Sequence, residues 1–295
     1  ALVFSTGFMA NLGIISALLT PEDTVLEDRL SHASLLDGGL HSGAKFARYA
    51  HVDIHALQKK LNDEKNVGNT LIVSDGVFSM DGDIAPIPDL LTSARADRDW
   101  LMIDDAHGFG VLGENGLGSP EYFHLAHKRI PVYMATLGKA IGTFGAFVAG
   151  SKDLIDYLIQ FARPYVYTTA MPAAVASATS ASLNLLHAES WRRTRVLALV
   201  QHFRERALAA GLPLLPSITP IQPLMIGDSQ RALTMSTQLR ERGFWVSAIR
   251  APTVPVNTAR LRITFSAEHD EKTIDQLVDC LADLMQAHQA AHLSE

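Results

Sequence analysis

Trp100-Leu101-Met102-Ile103-Asp104-Asp105-Ala106-His107-Gly108-Phe109-Gly110 is the stretch whose reading decides the fold. Its apolar run does not alternate with polar residues, as expected of a strand covered on both faces. It ends abruptly in two carboxylates, a histidine and glycines. The same pattern recurs in Thr70–Ser74, around Leu71-Ile72-Val73. Leu2–Ser5, Thr24–Glu27 and Val132–Ala135 read as further strands, separated by helix-length stretches such as Phe8–Leu19 and Ile54–Leu61. Strands alternating with helices predict an α/β domain with a mostly parallel sheet. Ala146–Ala149 follows Val132–Ala135 too closely for a helical crossover, so it is expected to pair antiparallel.

Beyond Ala174 the texture changes. Ala- and Ser-rich sequence from Ala173 to Leu186 leads into an Arg-bearing helical stretch, Trp191 to Leu208, and then to turn signals at Gly211, Pro213, Pro216 and Pro220. Strands are expected at Ile221–Ile226, Phe244–Ile249 and Leu261–Phe265, with a helix from Ser229 stopped by Gly243. Ile274, Leu277, Val278, Leu281, Leu284 and Met285 share one face of a last helix. The expected organisation is a large domain over 1–182 and a smaller C-terminal α+β domain over 183–295.

Composition narrows the function. With 295 residues and 47% hydrophobic content there is ample material for a core. A net charge of −6 argues against nucleic-acid or anionic-membrane partners, because no basic excess exists to neutralise phosphates. No apolar stretch approaches the length of about eighteen residues needed to cross a bilayer. The single cysteine, Cys280, excludes an internal disulfide and a thiolate zinc cluster, and its apolar helical setting reads as core.

Several residues could carry chemistry. Thr136-Leu137-Gly138-Lys139-Ala140-Ile141-Gly142 places a lysine between glycines just after a strand. It reads either as a turn lysine or as an amine for Schiff-base chemistry. Asp104, Asp105 and His107 stand at a strand's C-terminal end, where open α/β sheets bind ligands. They read as metal ligands, as a capping set, or as a cofactor set with one carboxylate on a ring nitrogen. With Lys139 downstream, the cofactor reading gains, since pyridoxal phosphate needs an amine and an anion at its ring nitrogen. Ser5-Thr6-Gly7-Phe8-Met9-Ala10-Asn11 runs from a strand into a helix N-terminus, either an ordinary capped start or a phosphate cradle. Thr136 and Thr169 could add hydroxyl donors to it, or merely cap turns. His32 reads as structural or as a group that stacks on a ring and donates a proton. Ser79 follows a strand end and reads as a turn residue. A competing metal site would use His51 and His55, with Asp104, Asp105 and His107. It lacks the glutamate of the HExxH pattern, and Val52 stands in its place.

The sequence resembles the α-oxoamine synthases, fold-type-I pyridoxal-phosphate enzymes, over essentially its whole length. The resemblance rests on Ser5-Thr6-Gly7-Phe8, Asp28-Arg29-Leu30-Ser31-His32-Ala33-Ser34, Gly76-Val77-Phe78-Ser79-Met80-Asp81-Gly82-Asp83, Asp104-Asp105-Ala106-His107-Gly108 and Thr136-Leu137-Gly138-Lys139. Ile221-Gln222-Pro223-Leu224, Ile249-Arg250-Ala251-Pro252-Thr253-Val254-Pro255 and Thr258-Ala259-Arg260-Leu261-Arg262 look like the branch serving biotin synthesis. That branch joins L-alanine to a pimeloyl thioester, carried by coenzyme A or by a carrier protein, with loss of CO2.

The resemblance implies a cytoplasmic homodimeric acyltransferase with its site at the subunit interface. Lys139 would hold pyridoxal phosphate and, once displaced by alanine, remove the Cα proton. Asp104 would face the ring nitrogen, with His107 and Ser79 near the phenolic oxygen. His32 would stack on the ring, contact substrate and serve as a proton donor. Gly7 and Phe8 would lie at the phosphate end. Thr136 would bind the phosphate, with Thr169 reaching it from the neighbouring subunit. Arg262 would grip the substrate carboxylate and Thr253 would line the acyl side. Family members also carry an N-terminal segment, with an Asn-Asp-Tyr-Leu-Gly-like stretch and a glycine-rich run, so the chain is expected to be truncated. The alternatives are a glycine-using synthase of the same family, a cofactor-free fragment without activity, and, more distantly, the metal hydrolase.

Overall fold

The computed structural model describes residues 1–63 and 68–292. The contacts divide the chain into two compact units. The first comprises Ala1–Phe78 and Ile84–Ser190, the second Ser79–Asp83 and Trp191–Glu295. The division falls after the helix Ala173–Ala188, which runs unbroken across the expected boundary at 182/183.

The first unit is built on seven strands: β1 (Leu2–Phe4), β2 (Thr24–Asp28), β3 (Lys45–Tyr49), β4 (Thr70–Asp75), β5 (Asp99–Asp104), β6 (Val132–Thr136) and β7 (Ala146–Gly150). Their order in the sheet is β1-β7-β6-β5-β4-β2-β3. Strands β2 to β6 pair parallel, and β7 runs antiparallel to both β1 and β6, as the short connection requires. The helices are α1 (Gly7–Leu18), α2 (Ala33–His41), α3 (Ile54–Leu61), α4 (Ile87–Ser93), α5 (Ser119–Tyr122), α6 (Lys152–Phe161), α7 (Arg163–Val166) and α8 (Ala173–Ala188).

Continuous apolar strands feed two cores. Val25, Leu71, Val73, Met102 and Met134 join Ile14 and Ile15 of α1, Leu35 of α2 and Leu158 of α6 on one face of the sheet. Leu26, Ile72, Leu101, Ile103 and Ala135 join Leu57 and Leu61 of α3 and Leu90 of α4 on the other. Successive strand residues therefore sort to opposite faces, the two-residue period of extended chain. β3 was not expected, because Lys45-Phe46-Ala47-Arg48-Tyr49 carries charge and only Tyr49 is fully buried. It is the edge strand next to β2, where charged side chains are at home.

The second unit has an antiparallel sheet of order β8-β10-β9, with β8 at Ile221–Gly227, β9 at Ser247–Ile249 and β10 at Ala259–Thr264. Helices α9 (Trp191–Ala209), α10 (Ser229–Glu241) and α11 (Glu271–His292) pack with it. Their shared core includes Phe203, Met235, Leu239, Leu261 and Leu281, and the expected apolar face of α11 is buried there. The strand expected over Phe244–Ile249 forms only from Ser247. Gly243 takes φ +91 after α10, and Phe244 N–H bonds back to Leu239 O at 2.8 Å. That capping geometry takes the donor a ladder would need. The turn at Ser79–Asp83 is tied to this unit through Gly82 O, which accepts from Ser217 Oγ (2.8 Å) and Thr219 Oγ1 (3.0 Å). Arg260 pairs with Asp81 at 2.6 Å.

One buried carboxyl fixes the loop after β5. Asp105 is fully buried and accepts from Ser119 N–H (2.7 Å), Ser119 Oγ (2.7 Å) and Tyr133 OH (2.8 Å). Burial raises it from 3.8 to about 6, against the lowering effect of these donors. A carboxyl raised on folding opposes folding once ionised. The penalty is absent below pH 3.8, grows above it and is complete above about pH 6. Tyr133→Phe removes one donor, so it is expected to cost about 1–3 kcal/mol in urea unfolding near pH 8. The loss should shrink near pH 5, where Asp105 is protonated in the fold. An equal loss at both values would contradict this account.

Candidate active site

The parallel register of β4 and β5 sets Asp75 opposite Asp104 at the C-terminal ends of both strands. Each is 3% exposed. Asp104 Oδ2 accepts from Asn11 Nδ2 at 2.7 Å, and Oδ1 from Ala106 N–H at 3.0 Å. Asp75 Oδ2 accepts from the backbone N–H of His32 at 2.9 Å. Burial first, and then the neighbouring charge of Asp104, push the Asp75 carboxyl well above the usual range.

Asn11 sits on the inward face of α1, whose N-cap Thr6 accepts from Met9 N–H. Its second amide hydrogen goes to Ser34 Oγ at 2.8 Å. Ser34 Oγ lies 2.8 Å from His32 Nδ1, and Ser34 N–H donates to the same nitrogen at 3.2 Å. A backbone N–H can only donate, so Nδ1 accepts and the neutral imidazole carries its proton on Nε2. Asp104, Asn11, Ser34 and His32 thus form one hydrogen-bonded chain.

Lys139 lies in the connection between β6 and β7, and β6 pairs with β5 through Met134 and Asp104. Its Nζ is 2.9 Å from His107 Nε2. The adjacent aspartates have separate fates. Asp104 belongs to the hydrogen-bonded chain above, while Asp105 is turned into its buried set with Ser119 and Tyr133.

The remaining expected residues are distributed as follows. Gly7 and Phe8 open α1, and Phe8 is 43% exposed. Thr136 Oγ1 donates to Gly145 O and accepts from Gly138 N–H, so it braces the lysine loop. Thr169 is exposed, with its carbonyl 3.5 Å from Ser5 Oγ. Ser79, Thr253 and Arg262 belong to the second unit. There Arg262 Nε donates to Ser79 O at 2.6 Å, and burial lowers the guanidinium's pKa. The metal constellation is not assembled. His51 Nδ1 pairs with Asp28 at 2.9 Å, and Asp53 caps α3. Among the described residues, no group of three or more His, Cys, Asp and Glu is arranged to hold a metal ion.

Sequence reasoning missed Asn11, Ser34 and Asp75. The signal for Asn11 was a carboxamide on the same helical face as Ile14 and Ile15, where an apolar residue would ordinarily sit. The signal for Asp75 was its place after Leu71-Ile72-Val73-Ser74, matching Asp104 after Leu101-Met102-Ile103. An apolar hollow of about 800 Å³ lined by Trp100, Phe109, Tyr133 and Phe147 contains none of the expected site residues.

These groups fit pyridoxal phosphate. A lysine amine is presented beside a histidine, and a buried carboxylate is held by two N–H donors at the adjoining strand end. Comparison with known proteins agrees. The family model for class I and II aminotransferases matches residues 1–281. The 8-amino-7-oxononanoate synthase of Pseudomonas fluorescens is 59% identical over 98% of this chain and 74% of its own length. A lysine-to-alanine variant of a serine palmitoyltransferase from S. paucimobilis, solved with a bound PLP–myriocin aldimine, superposes with a TM-score of 0.92 at 31% identity, covering 97% of this chain and 72% of its own. The 8-amino-7-oxononanoate synthase of Francisella tularensis gives 0.87 at 33%, covering 98% and 83%. The chain belongs to the 8-amino-7-oxononanoate synthases, pyridoxal-phosphate enzymes of fold type I within the class I and II aminotransferase family.

Proposed function

We propose that the chain condenses L-alanine with a pimeloyl thioester, giving 8-amino-7-oxononanoate, CO2 and the free thiol of the carrier, in biotin synthesis. A bond forms between alanine Cα and the acyl carbonyl carbon, the C–S bond breaks, and the alanine carboxylate leaves as CO2. The observation that carries the reading is the amine of Lys139 beside His107, in the loop that follows the strand paired with the one presenting buried Asp104. The 59% identity to a named synthase supports alanine over glycine or serine as the amino acid. The carrier is coenzyme A or a carrier protein, and the working form is a homodimer.

Bound pyridoxal phosphate supplies a protonated ring that accepts the electron pair left on carbon. The chain's own residues do the rest. Lys139 would hold the cofactor through its aldehyde and would take the proton from alanine Cα. The Asp104 carboxylate keeps the ring nitrogen protonated. His32 would lie against the ring, with the proton on Nε2 available to substrate, and His107 and Ser79 would serve the phenolic oxygen. Gly7 and Phe8 place the N–H groups and dipole of α1 at the phosphate. Thr136 would add its hydroxyl to the phosphate contacts, as would Thr169 of a second copy. Arg262 grips the substrate carboxylate and Thr253 lines the acyl chain.

Borohydride treatment of the protein incubated with pyridoxal phosphate, followed by peptide mass mapping, should fix the cofactor on Lys139. Titration with L-alanine should then change the visible spectrum at lower concentration than glycine or serine. A fixed adduct elsewhere, or indifference to alanine in the full-length protein, would overturn the reading. Asp104→Asn should slow exchange of the alanine Cα hydrogen with D2O about a hundredfold or more. Unchanged exchange would remove Asp104 from its assigned role.

A further inference from the structure

The mechanism above uses Asp104 as an anion, yet the fold sets Asp75 beside it on the next strand, equally buried. Two adjacent buried carboxyl groups hold a single negative charge far more readily than two. What selects the charged member is the number of N–H donors aimed at each. Asp104 receives Ala106 N–H on one oxygen and Asn11 Nδ2 on the other, at 3.0 and 2.7 Å. Asp75 receives the His32 N–H at 2.9 Å. The other charged groups acting on Asp75 are Lys139, which favours its ionisation, and Asp28, which opposes it.

The orientation of Asn11 is dictated by this task. Its amide is fully buried and gives both hydrogens away, to Asp104 and to Ser34. Its carbonyl oxygen Oδ1 is buried with no hydrogen-bond partner. Turning the amide over would bring that oxygen against the Asp104 carboxylate, acceptor to acceptor. Leaving a buried acceptor unmet costs about 1–3 kcal/mol. A leucine of similar size would avoid that cost at a purely structural position. The carboxamide is there for its donors.

We propose that Asn11 is a positioning residue that keeps the negative charge of the Asp75/Asp104 pair on Asp104. Through the same amide it ties that carboxylate to Ser34 and the His32 imidazole. The inference rests on the assignment of Asp104 to the cofactor ring.

The test is equilibrium binding of pyridoxal phosphate to the full-length protein, with the absorbance spectrum of the loaded protein as a second readout. The variants are Asn11→Leu, Asp75→Asn, the two combined, and Asp104→Asn. Asn11→Leu should weaken binding about tenfold to a hundredfold, the range of a lost hydrogen bond to a charged group. It should also shift the spectrum toward that of Asp104→Asn. Asp75→Asn keeps an oxygen for the His32 N–H but cannot take the charge. In the Asn11→Leu background it should therefore restore both binding and spectrum. Circular dichroism and thermal melts of every variant separate these effects from misfolding.

A merely structural Asn11 predicts a loss that Asp75→Asn does not relieve, and that result would overturn the proposal. So would wild-type binding and spectrum in Asn11→Leu while Asp104→Asn is impaired. If Asp104→Asn itself leaves binding and spectrum unchanged, the failure lies in the site assignment, and this inference falls with it.

Discussion

The in-register parallel pairing of β4 with β5 is the constraint on which the site depends, because it brings Asp75 and Asp104 side by side at the strand ends. Two carboxyl groups in one dry place form an arrangement that the surroundings must break unequally. α1 supplies Asn11 to one of them, and the backbone entering α2 supplies His32 N–H to the other. The next parallel strand, β6, has its own end beside Asp104, and the loop beyond it carries Lys139. A single sheet edge thus gathers acid, amine and imidazole from segments far apart in sequence, as open α/β sheets do for ligands generally.

Much of this was legible beforehand, because buried parallel strands are written as continuous apolar runs with polar ends. The expected strands around Leu71-Ile72-Val73 and Leu101-Met102-Ile103 form, and the tight β6–β7 connection is antiparallel as its length demanded. What escaped was set by context. β3 is tolerant of Lys45 and Arg48 because it lies at an edge, which no local pattern announces. Residues 244–246 have strand composition, yet the backbone of Phe244 is committed to ending α10.

Reading the site from sequence met a similar limit. Adjacent aspartates look equivalent on paper, and successive side chains at a strand end part to different neighbours. Asp104 meets Asn11, whereas Asp105 closes on Ser119 and Tyr133. Likewise the contacts of Thr136 with Gly145 O and Gly138 N–H, which brace the lysine loop, are set by the assembled connection and not by any local pattern. Asn11 reads locally as part of a helix start, but its partners lie 23 and 93 residues away. Partnerships over such distances follow from the assembled sheet and leave no spacing to detect.

The connection carrying Lys139 is unusually well fastened for a loop. Leu137 N–H bonds Gly145 O, Thr143 N–H bonds Leu137 O, and Gly142 N–H bonds Lys139 O. Thr143 is further joined to Thr179, and Ser182 donates to Ile141 O, so α8 braces the loop from one side. The lysine's backbone is in this way anchored like part of the sheet, while its exposed four-carbon stem carries the amine to His107. Travel of the amine between one partner and the next is then a matter of side-chain torsions, on the nanosecond scale of rotamer exchange, with no segment of backbone obliged to move.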